Sequence, residues 1–238
     1  MYTFNGRVRY SEVGADGELT LEALMDYFQD CATFHSEEVG FGVEYLMKEK
    51  KGWVLLSWQI EIKRYPKFGE KIAVSTKAYD FKRSFGYRNL MMQDENGEYV
   101  ALANSVWLYM DLEKMMPDRV EQAQVDAYTL EEKFSMDYPP TKIKLPEVVV
   151  EEGKPIVIGS HQIDTNGHVN NVEYLRMACE AVGKVPKIHN FRAEYKKSAM
   201  LGNTVYPKIY REATKETVAL CTEDGKIFAT IELSLIHI

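Results

Sequence analysis

Two stretches of the chain, IEIKRYPKFGEKIAV at residues 60–74 and AEYKKSAMLGNTVYP at residues 193–207, decide the fold because they repeat one pattern. Each contains an acidic residue, then a basic pair, then an apolar residue and a glycine that lead into the next strand. Each also follows a segment with helical spacing of apolar residues. One helix followed by an antiparallel sheet, twice, predicts a duplicated α+β unit in which each helix covers the apolar face of its sheet.

The elements around these two stretches recur in the same order in both halves. Apolar residues recur at helical spacing from Leu21 to Val39 and from Val172 to Val182, and Gly40 and Gly183 provide the stops. Alternating strand patterns follow each helix, with glycine-containing turns between the last two strands of each half. They lie at residues 53–63, 71–81, 85–94 and 99–110, and at residues 191–197, 204–212, 217–222 and 226–233.

Prolines mark the boundary between the halves. Five of the eight prolines fall between residues 117 and 155, in a polar and acidic stretch that is typical of a connector. We therefore expect an N-terminal unit at residues 1–125, a linker at residues 126–150 and a C-terminal unit at residues 151–238. The last six residues, LSLIHI, look like a translated sequencing adapter. We expect them to be non-native and the natural C-terminal unit to be truncated.

The overall composition narrows the class of protein. The chain has 238 residues, 45% hydrophobic and 27% charged, which is typical of a soluble globular protein. Its net charge of -7 and its scattered basic residues argue against nucleic-acid binding. Three cysteines cannot all pair, and they form no metal-binding spacing. No stretch resembles a signal peptide, a transit peptide or a membrane span, so we expect a cytoplasmic protein with no membrane insertion.

The second half contains the strongest candidate for a catalytic site, in HQIDTNGHVNNVEYLRMA at residues 161–178. Asp164, Asn166 and His168 alternate, and in an extended segment their side chains would point the same way. A helix begins at about Val169 or Asn170, and its free amides favour negative charge. We expect His168 to activate a water molecule and the Val169 and Asn170 amides to hold an oxyanion. Alternatively, Asp164 and Asn166 form turns and Asn170 caps the helix.

The corresponding loop of the first half lies in EVGADGELTLEALM at residues 12–25. It has Glu18 at the position of His168 and Asp16 at the position of Asn166. A motif needed only for folding is expected in both halves. The absence of the histidine from the first half therefore favours chemistry in the second.

Together these motifs resemble the acyl-acyl carrier protein (acyl-ACP) thioesterases of bacteria and plants. The resemblance rests on five motifs that lie in order along nearly the whole chain: residues 12–32, Arg64-Tyr65-Pro66, Phe68-Gly69, residues 103–107 (ANSVW) and residues 164–171 (DTNGHVNN). It implies an α+β tandem hotdog fold, in which each half is a long helix wrapped by an antiparallel sheet. It also implies hydrolysis of fatty acyl-ACP, with acyl carrier protein as partner and Asp164, Asn166 and His168 as the catalytic residues. We expect no cofactor and no metal, because a thioester is already a reactive acyl donor.

One position departs from the family pattern. Plant members have a glutamate and a cysteine, both proposed to be catalytic, where this chain has Ser198 and Ala199. No cysteine nucleophile is available there. We expect Ser198 to hydrogen-bond a water or the histidine at most, and the sequence leaves open whether Glu194 compensates.

The first helix and the basic pairs raise further expectations. Met25, Phe28, Ala32 and His35 recur along one side of the helix, where they either line an acyl tunnel or form ordinary core. One of the basic pairs is expected to dock the acidic carrier protein: Lys63-Arg64, Lys82-Arg83 or Lys196-Lys197.

Two other functions remain open at this stage. The same fold could cleave acyl-coenzyme A, or the chain could be a non-catalytic module that binds acyl groups. The sequence does not give the acyl chain length, and it leaves a homodimer open.

Overall fold

The computed structural model describes residues 1–183 and 187–235, which form two compact units. The first unit comprises Met1–Leu56 and Ile60–Pro139, and the second comprises Ser57–Gln59 and the chain from Pro140 onward. The division after Pro139 falls inside the stretch predicted as a linker. Of the six C-terminal residues predicted to be non-native, residues 236–238 lie outside the described part, whereas Leu233 is buried in the last strand.

The first unit consists of one long helix and an antiparallel sheet whose five long strands have the order β1-β3-β4-β5-β2. Helix α1 packs on β1 and β3, and every strand pair described in this unit is antiparallel. Its elements are β1 (Tyr2–Arg7), α1 (Leu21–Glu38), α2 (Val43–Glu49), β2 (Lys51–Ile62), β3 (Lys71–Lys82), β4 (Phe85–Asp94), β5 (Tyr99–Asp111), β6 (Met116–Pro117) and α3 (Gln122–Ala127).

The second unit repeats this plan with a shorter helix. Helix α4 packs on β10, β11 and β12, in a sheet of order β9-β12-β11-β10-β7 whose described pairs are also antiparallel. Its elements are β7 (Glu151–Glu152), β8 (Ile156–Val157), α4 (Asn171–Val182), β9 (Ile188–Tyr195), β10 (Thr204–Arg211), β11 (Lys215–Cys221) and β12 (Ile227–Leu235).

Both long helices begin at a polar capping residue and are followed by a glycine. Thr20 caps α1 by accepting the amide of Ala23, and Asn170 caps α4 by accepting the amide of Val172. Gly40 and Gly183 follow the last turns with φ of 83° and 88°, a left-handed conformation that favours glycine. The predicted helix ends are therefore correct to within about two residues.

The apolar faces of the two helices form the cores of the units. Helix α1 buries Leu24, Met25, Phe28 and Cys31 almost completely, and α4 buries Leu175 and Ala178. Each large buried side chain contributes roughly 1.5–3 kcal/mol relative to exposure, so these faces hold the helices on their sheets. The short helices α2 and α3 were not predicted, and α3 spans the boundary expected at residue 125.

Candidate active site

The loop that carries the candidate catalytic residues is a tight turn between Ile163 and Val169, which form an isolated bridge. The Asp164 amide donates to the His168 carbonyl at 2.7 Å, and the Gly167 amide donates to the Asp164 carbonyl at 3.1 Å. Gly167 has a φ of 76°, which closes the turn. The extended conformation expected for residues 164–168 is therefore wrong, because the Asn-Gly pair turns the chain.

Asp164 holds this turn through its side chain. Its Oδ1 accepts the amides of Asn166 at 2.8 Å and of His168 at 3.1 Å. The carboxylate thus fixes the backbone of both residues, as the alternative interpretation of the sequence expected. Its catalytic role stays a prediction, and what the structure gives it is a positioning contact.

The expected oxyanion site needs a correction. The Val169 amide donates to the Ala199 carbonyl at 3.0 Å, and the Asn170 amide donates to the Gln162 carbonyl at 2.9 Å. Both donors are therefore already used by the fold. Helix α4 begins at Asn171, one or two residues later than expected, and Asn170 is its cap.

The first unit contains the same turn with different side chains. The Gly14 amide donates to the Glu18 carbonyl at 2.8 Å, and the Gly17 amide donates to the Gly14 carbonyl at 2.9 Å. The next two amides, of Leu19 and Thr20, donate to Pro66 and Glu12 as their counterparts in the second unit do. The backbone is thus a feature of the fold, and the units differ in the side chains displayed.

Two side chains of the second turn are available for chemistry. The His168 side chain is half-buried and that of Asn166 is exposed. Within residues 1–183 and 187–235, the structure gives neither side chain a hydrogen-bond partner. The imidazole and the amide can therefore contact a substrate or a water molecule.

A pair of tyrosines that the sequence analysis missed lies beneath this turn. The Tyr174 hydroxyl accepts the Ala199 amide at 2.8 Å, and the Tyr195 hydroxyl donates to the Asn171 carbonyl at 3.1 Å. Their rings meet edge to face, with centroids 5.7 Å apart. Burial raises the pKa of both hydroxyls, and for Tyr174 the Asp164 charge adds to the increase.

The two tyrosines have apolar counterparts in the first half of the chain. Tyr174 occupies the fourth position of its helix, where α1 has Leu24, and Tyr195 occupies the position of Ile62 in the repeated stretch. The hydroxyls therefore occur only in the half that carries His168. That difference is the signal from which the sequence analysis could have found them.

Ser198, which departs from the family pattern, and Glu194, which could compensate for it, have different surroundings. Ser198 is exposed, and within the described ranges its side chain has no hydrogen-bond partner. Glu194 is half-buried. Its Oε2 accepts the Ile143 amide at 2.9 Å, and its Oε1 lies 3.5 Å from the Lys196 ammonium. Glu194 is thus engaged by the segment before β7, and compensation by this carboxylate is not supported.

In the first unit, the four residues expected to line an acyl tunnel are all buried. Met25 and Phe28 are 1% and 0% exposed, and Ala32 and His35 are 6% exposed. His35 accepts a hydrogen bond at Nδ1 from Arg88 at 3.2 Å, because the guanidinium can only donate. Burial, and next the Arg88 charge, lower the pKa of His35 to about 4, so His35 is neutral near pH 7. Their contact with an acyl chain stays a prediction.

In residues 1–183 and 187–235, no group of three or more His, Cys, Asp or Glu side chains is placed to hold a metal ion. No helix in the same ranges is long and apolar enough to cross a membrane.

The family model described as the acyl-ACP thioesterase N-terminal domain matches residues 1–128, more than half of the chain. The chain belongs to the acyl-ACP thioesterase family. It is 30% identical over 190 residues to the chloroplastic acyl-(acyl-carrier-protein) hydrolase FATB3 of Cuphea viscosissima, covering 74% of this chain and 45% of that protein. It is 26% identical over 196 residues to an oleoyl-acyl carrier protein thioesterase of Arabidopsis thaliana, covering 74% and 52%. The chain thus spans about half the length of the curated relatives it matches.

Solved structures show the fold of this family member. An acyl-ACP thioesterase of Bacteroides thetaiotaomicron matches with a TM-score of 0.88 and 24% identity, over 98% of this chain and 96% of that one. The 12:0-ACP thioesterase of Umbellularia californica matches with a TM-score of 0.85 and 19% identity, over the same shares. The predicted α+β tandem hotdog fold is confirmed.

Proposed function

We propose that the protein hydrolyses the thioester of fatty acyl-ACP and releases the free fatty acid. The observation that carries this proposal is that both units form the same turn, and only the second displays an imidazole on it. Membership in the acyl-ACP thioesterase family supports the substrate class.

In the proposed mechanism, His168 removes a proton from a water molecule as the water oxygen attacks the thioester carbonyl. The tetrahedral intermediate collapses with cleavage of the C–S bond. The protonated imidazole returns the proton to the departing sulfur, which leaves as the thiol of the carrier protein's prosthetic arm. General acid–base catalysis of this kind typically contributes about 10²–10⁴-fold to the rate.

The developing oxyanion needs a donor other than the amides of Val169 and Asn170. The Asn166 side-chain amide is exposed, two residues from His168, and without a partner among the described residues. We assign it the role of donating to the thioester oxygen, for which a single donor is worth about 3 kcal/mol. Asp164 contributes by fixing the backbone of both residues.

Ser198 has a smaller proposed role. It lies next to Ala199, whose carbonyl accepts the Val169 amide and whose own amide donates to Tyr174. In this scheme its exposed hydroxyl hydrogen-bonds a water or the histidine.

The first unit is proposed to hold the acyl chain. Its α1 residues Met25, Phe28, Ala32 and His35 form a continuous buried face, whereas the turn at Glu18 has no imidazole. This division of labour assigns chain-length selection to the first unit and hydrolysis to the second.

The carrier protein is proposed to dock at Lys196-Lys197. One member of each basic pair contacts a carboxylate: Arg64 contacts Glu70 and Asp94 at 2.9 Å, Lys82 contacts Asp80 at 2.8 Å, and Lys196 contacts Glu194 at 3.5 Å, the longest of these contacts. Lys197 is exposed, contacts the Phe228 ring, and lies two residues before Ala199 at the turn. A cytoplasmic location and a homodimeric assembly complete the proposal.

The proposal is tested by incubating the purified protein with acyl-ACPs from C8 to C18 and measuring the free acids released. Acyl-coenzyme A of the same lengths serves as the matched comparison. We expect higher kcat/KM with the carrier-protein substrates. Equal activity on both substrates would assign the chain to acyl-coenzyme A hydrolysis as well, and unchanged acyl-ACP after prolonged incubation would identify a binding module.

A further inference from the structure

The first unit contains a cleft that the proposed function does not use. Its volume is about 410 Å³, within the range of roughly 300–1,000 Å³ that is typical of small-molecule sites. Three tyrosines and five charged residues line it: Tyr79, Tyr87, Tyr138, Asp80, Lys82 and residues 131–133.

The sheet separates this cleft from the buried face of α1. On β4, Arg88 Nη1 donates to His35 Nδ1 of α1 at 3.2 Å, so the Arg88 side chain points toward that helix. Successive side chains of a strand point to opposite faces, and Tyr87 and Asn89 therefore point away from α1. A ligand in the cleft thus lies across the sheet from the residues proposed to hold the acyl chain.

Residues 131–138, here called the covering segment, form the second wall of the cleft, and the sheet holds them in place. Asn89 Oδ1 accepts the Phe134 amide at 2.9 Å and lies 3.0 Å from the Tyr138 hydroxyl. The Glu131 amide donates to the Ala78 carbonyl at 3.1 Å. The fold itself therefore fixes both walls.

The three tyrosines form a connected aromatic surface. The Tyr79 ring lies 5.9 Å from the Tyr87 ring and 6.1 Å from the Tyr138 ring, centroid to centroid. The hydroxyls of Tyr79 and Tyr138 are engaged, because Tyr79 donates to Asn104 Oδ1 at 2.9 Å and Tyr138 contacts Asn89. The surface therefore offers a ligand mainly ring faces, which carry the negative part of the aromatic quadrupole.

Ammonium groups of the chain itself already lie on two of these rings. Lys82 Nζ is 5.5 Å from the centroid of the Tyr87 ring, and Lys133 Nζ is 4.3 Å from that of the Tyr138 ring. Both lysines are exposed, and their long side chains are free to move aside. The cleft thus favours cations, which the faces of aromatic rings attract.

The carboxylates around the rings favour the same charge. Asp80 contacts Lys82 at 2.8 Å, and Glu131 pairs with the N-terminal ammonium. Glu132 is exposed, and within residues 1–183 and 187–235 it forms no ion pair. An anion in the cleft would lie close to all three carboxylates, whereas a cation would gain the free charge of Glu132.

The kind of cation follows from hydration. A primary ammonium ligand would compete with two lysines of the same chemistry and would gain nothing over them. A quaternary ammonium has no N–H group to hydrate strongly, so it loses less than a lysine does when it leaves water for an aromatic surface.

We propose that this cleft binds a small organic cation with a trimethylammonium group, whose methyl groups lie on the Tyr87 and Tyr138 rings in place of the two lysine ammonium groups. Glu132 supplies the compensating charge. The site is distinct from the turn at His168 and takes no part in thioester hydrolysis.

The charge of the ligand is tested with choline and 3,3-dimethyl-1-butanol, each titrated into the protein by isothermal titration calorimetry. The two probes have the same shape, and the alcohol has a carbon atom in place of the charged nitrogen. We expect the wild type to bind one choline, at least tenfold more tightly than the alcohol. Equal affinity for the two probes would overturn the proposal, and so would the lack of measurable choline binding.

Variants at Tyr87 test the aromatic ring. Tyr87→Phe keeps the ring face and should bind choline as the wild type does, whereas Tyr87→Leu should bind it at least tenfold more weakly. Tyr99→Leu is the matched control, because Lys63 Nζ lies 5.5 Å from the Tyr99 ring, which is not part of the cleft. It should bind choline normally. Choline binding that survives unchanged in Tyr87→Leu would contradict the site.

Lys82→Gln tests whether the ligand takes the place of a lysine. It uncovers the Tyr87 ring and frees Asp80, so choline should bind several-fold more tightly, which a purely structural role of the rings does not predict. Unchanged or weaker binding would overturn the proposal. If Tyr87→Leu does not fold, as judged by circular dichroism, the two probes and Lys82→Gln decide. None of these measurements involves a thioester, so their outcome is independent of the proposed function.

Discussion

Asp164 and His168 are joined by two hydrogen bonds across the tight turn of the second unit. The Asp164 amide donates to the His168 carbonyl at 2.7 Å, and Asp164 Oδ1 accepts the His168 amide at 3.1 Å. The position of the imidazole therefore depends on a carboxylate that is not itself required to touch the substrate.

Replacement of this carboxylate should lower both stability and activity. Asp164→Ala removes the acceptor of two amides, and hydrogen bonds to charged groups are worth about 1.5–3 kcal/mol each. We expect a lower free energy of unfolding and a kcat reduced at least tenfold, measured by urea unfolding and steady-state hydrolysis. Asp164→Asn keeps an acceptor oxygen and should retain most of both.

Asp16→Ala is the matched control for this experiment, because Asp16 Oδ1 accepts the Glu18 amide at 3.0 Å in the first unit. It should affect stability alone. A stable Asp164→Asn protein as inactive as Asp164→Ala would show that the carboxylate takes part in the chemistry directly.

The tyrosine pair beneath the turn should be needed to hold it. Tyr174→Phe leaves the buried Ala199 amide without an acceptor, which costs about 1–3 kcal/mol. We expect a lower Tm and a several-fold lower kcat, since Ala199 also accepts the Val169 amide. Tyr210→Phe, at another buried tyrosine of the second unit, is the control and should change neither. An unaltered Tm in Tyr174→Phe would mean that the hydroxyl does not support the turn.

Much of the fold could be predicted from the sequence, because its helices and strands are marked by local patterns of apolar residues and glycines. Apolar periodicity together with Gly40 and Gly183 located both helices, and alternation located all eight long strands that follow them. The geometry of the site could not be predicted in the same way. The partners of the Val169 and Asn170 amides are Ala199 and Gln162, which are brought there by folding.

Two features of the site are marked in the sequence. The Asn166-Gly167 pair is a turn signal and argued against an extended segment. The exchange of Leu24 and Ile62 for Tyr174 and Tyr195 between the halves marked the hydroxyl pair. The burial of Arg88 has no such signal in the sequence, because an alternating strand pattern does not reveal whether a charged residue faces the core.

Enlarging a side chain on the buried face of α1 should shorten the preferred acyl chain. Ala32→Phe adds volume where the first unit is proposed to hold the chain, and we expect the released acids to shift toward shorter lengths. Overpacking alone would cost about 1–3 kcal/mol with no shift in preference. Thr33→Phe, on the exposed side of the same helix, is the control. A destabilised Ala32→Phe protein with an unchanged product profile would refute the acyl-chain assignment.

Stability should fall in mild acid because of His35. Its pKa is about 4 in the folded protein and about 6.5 when unfolded, so between these values only the unfolded chain binds the proton. The free energy of unfolding should therefore decrease as the pH falls from 6.5 to 4, by about 3 kcal/mol from this residue. His35→Gln keeps an acceptor for Arg88 and should remove that part of the decrease, measured by urea unfolding across the range. Parallel curves for both proteins would contradict the assignment.

The central claim, that His168 is the general base, is tested most directly by the kcat/KM of His168→Ala on acyl-ACP. His189→Ala, which removes an exposed histidine on β9, is the matched control. We predict a loss of at least about 100-fold for His168→Ala with an unchanged Tm, and wild-type activity for His189→Ala. Activity of His168→Ala within about threefold of the wild type would contradict the account, because general-base catalysis contributes far more than that.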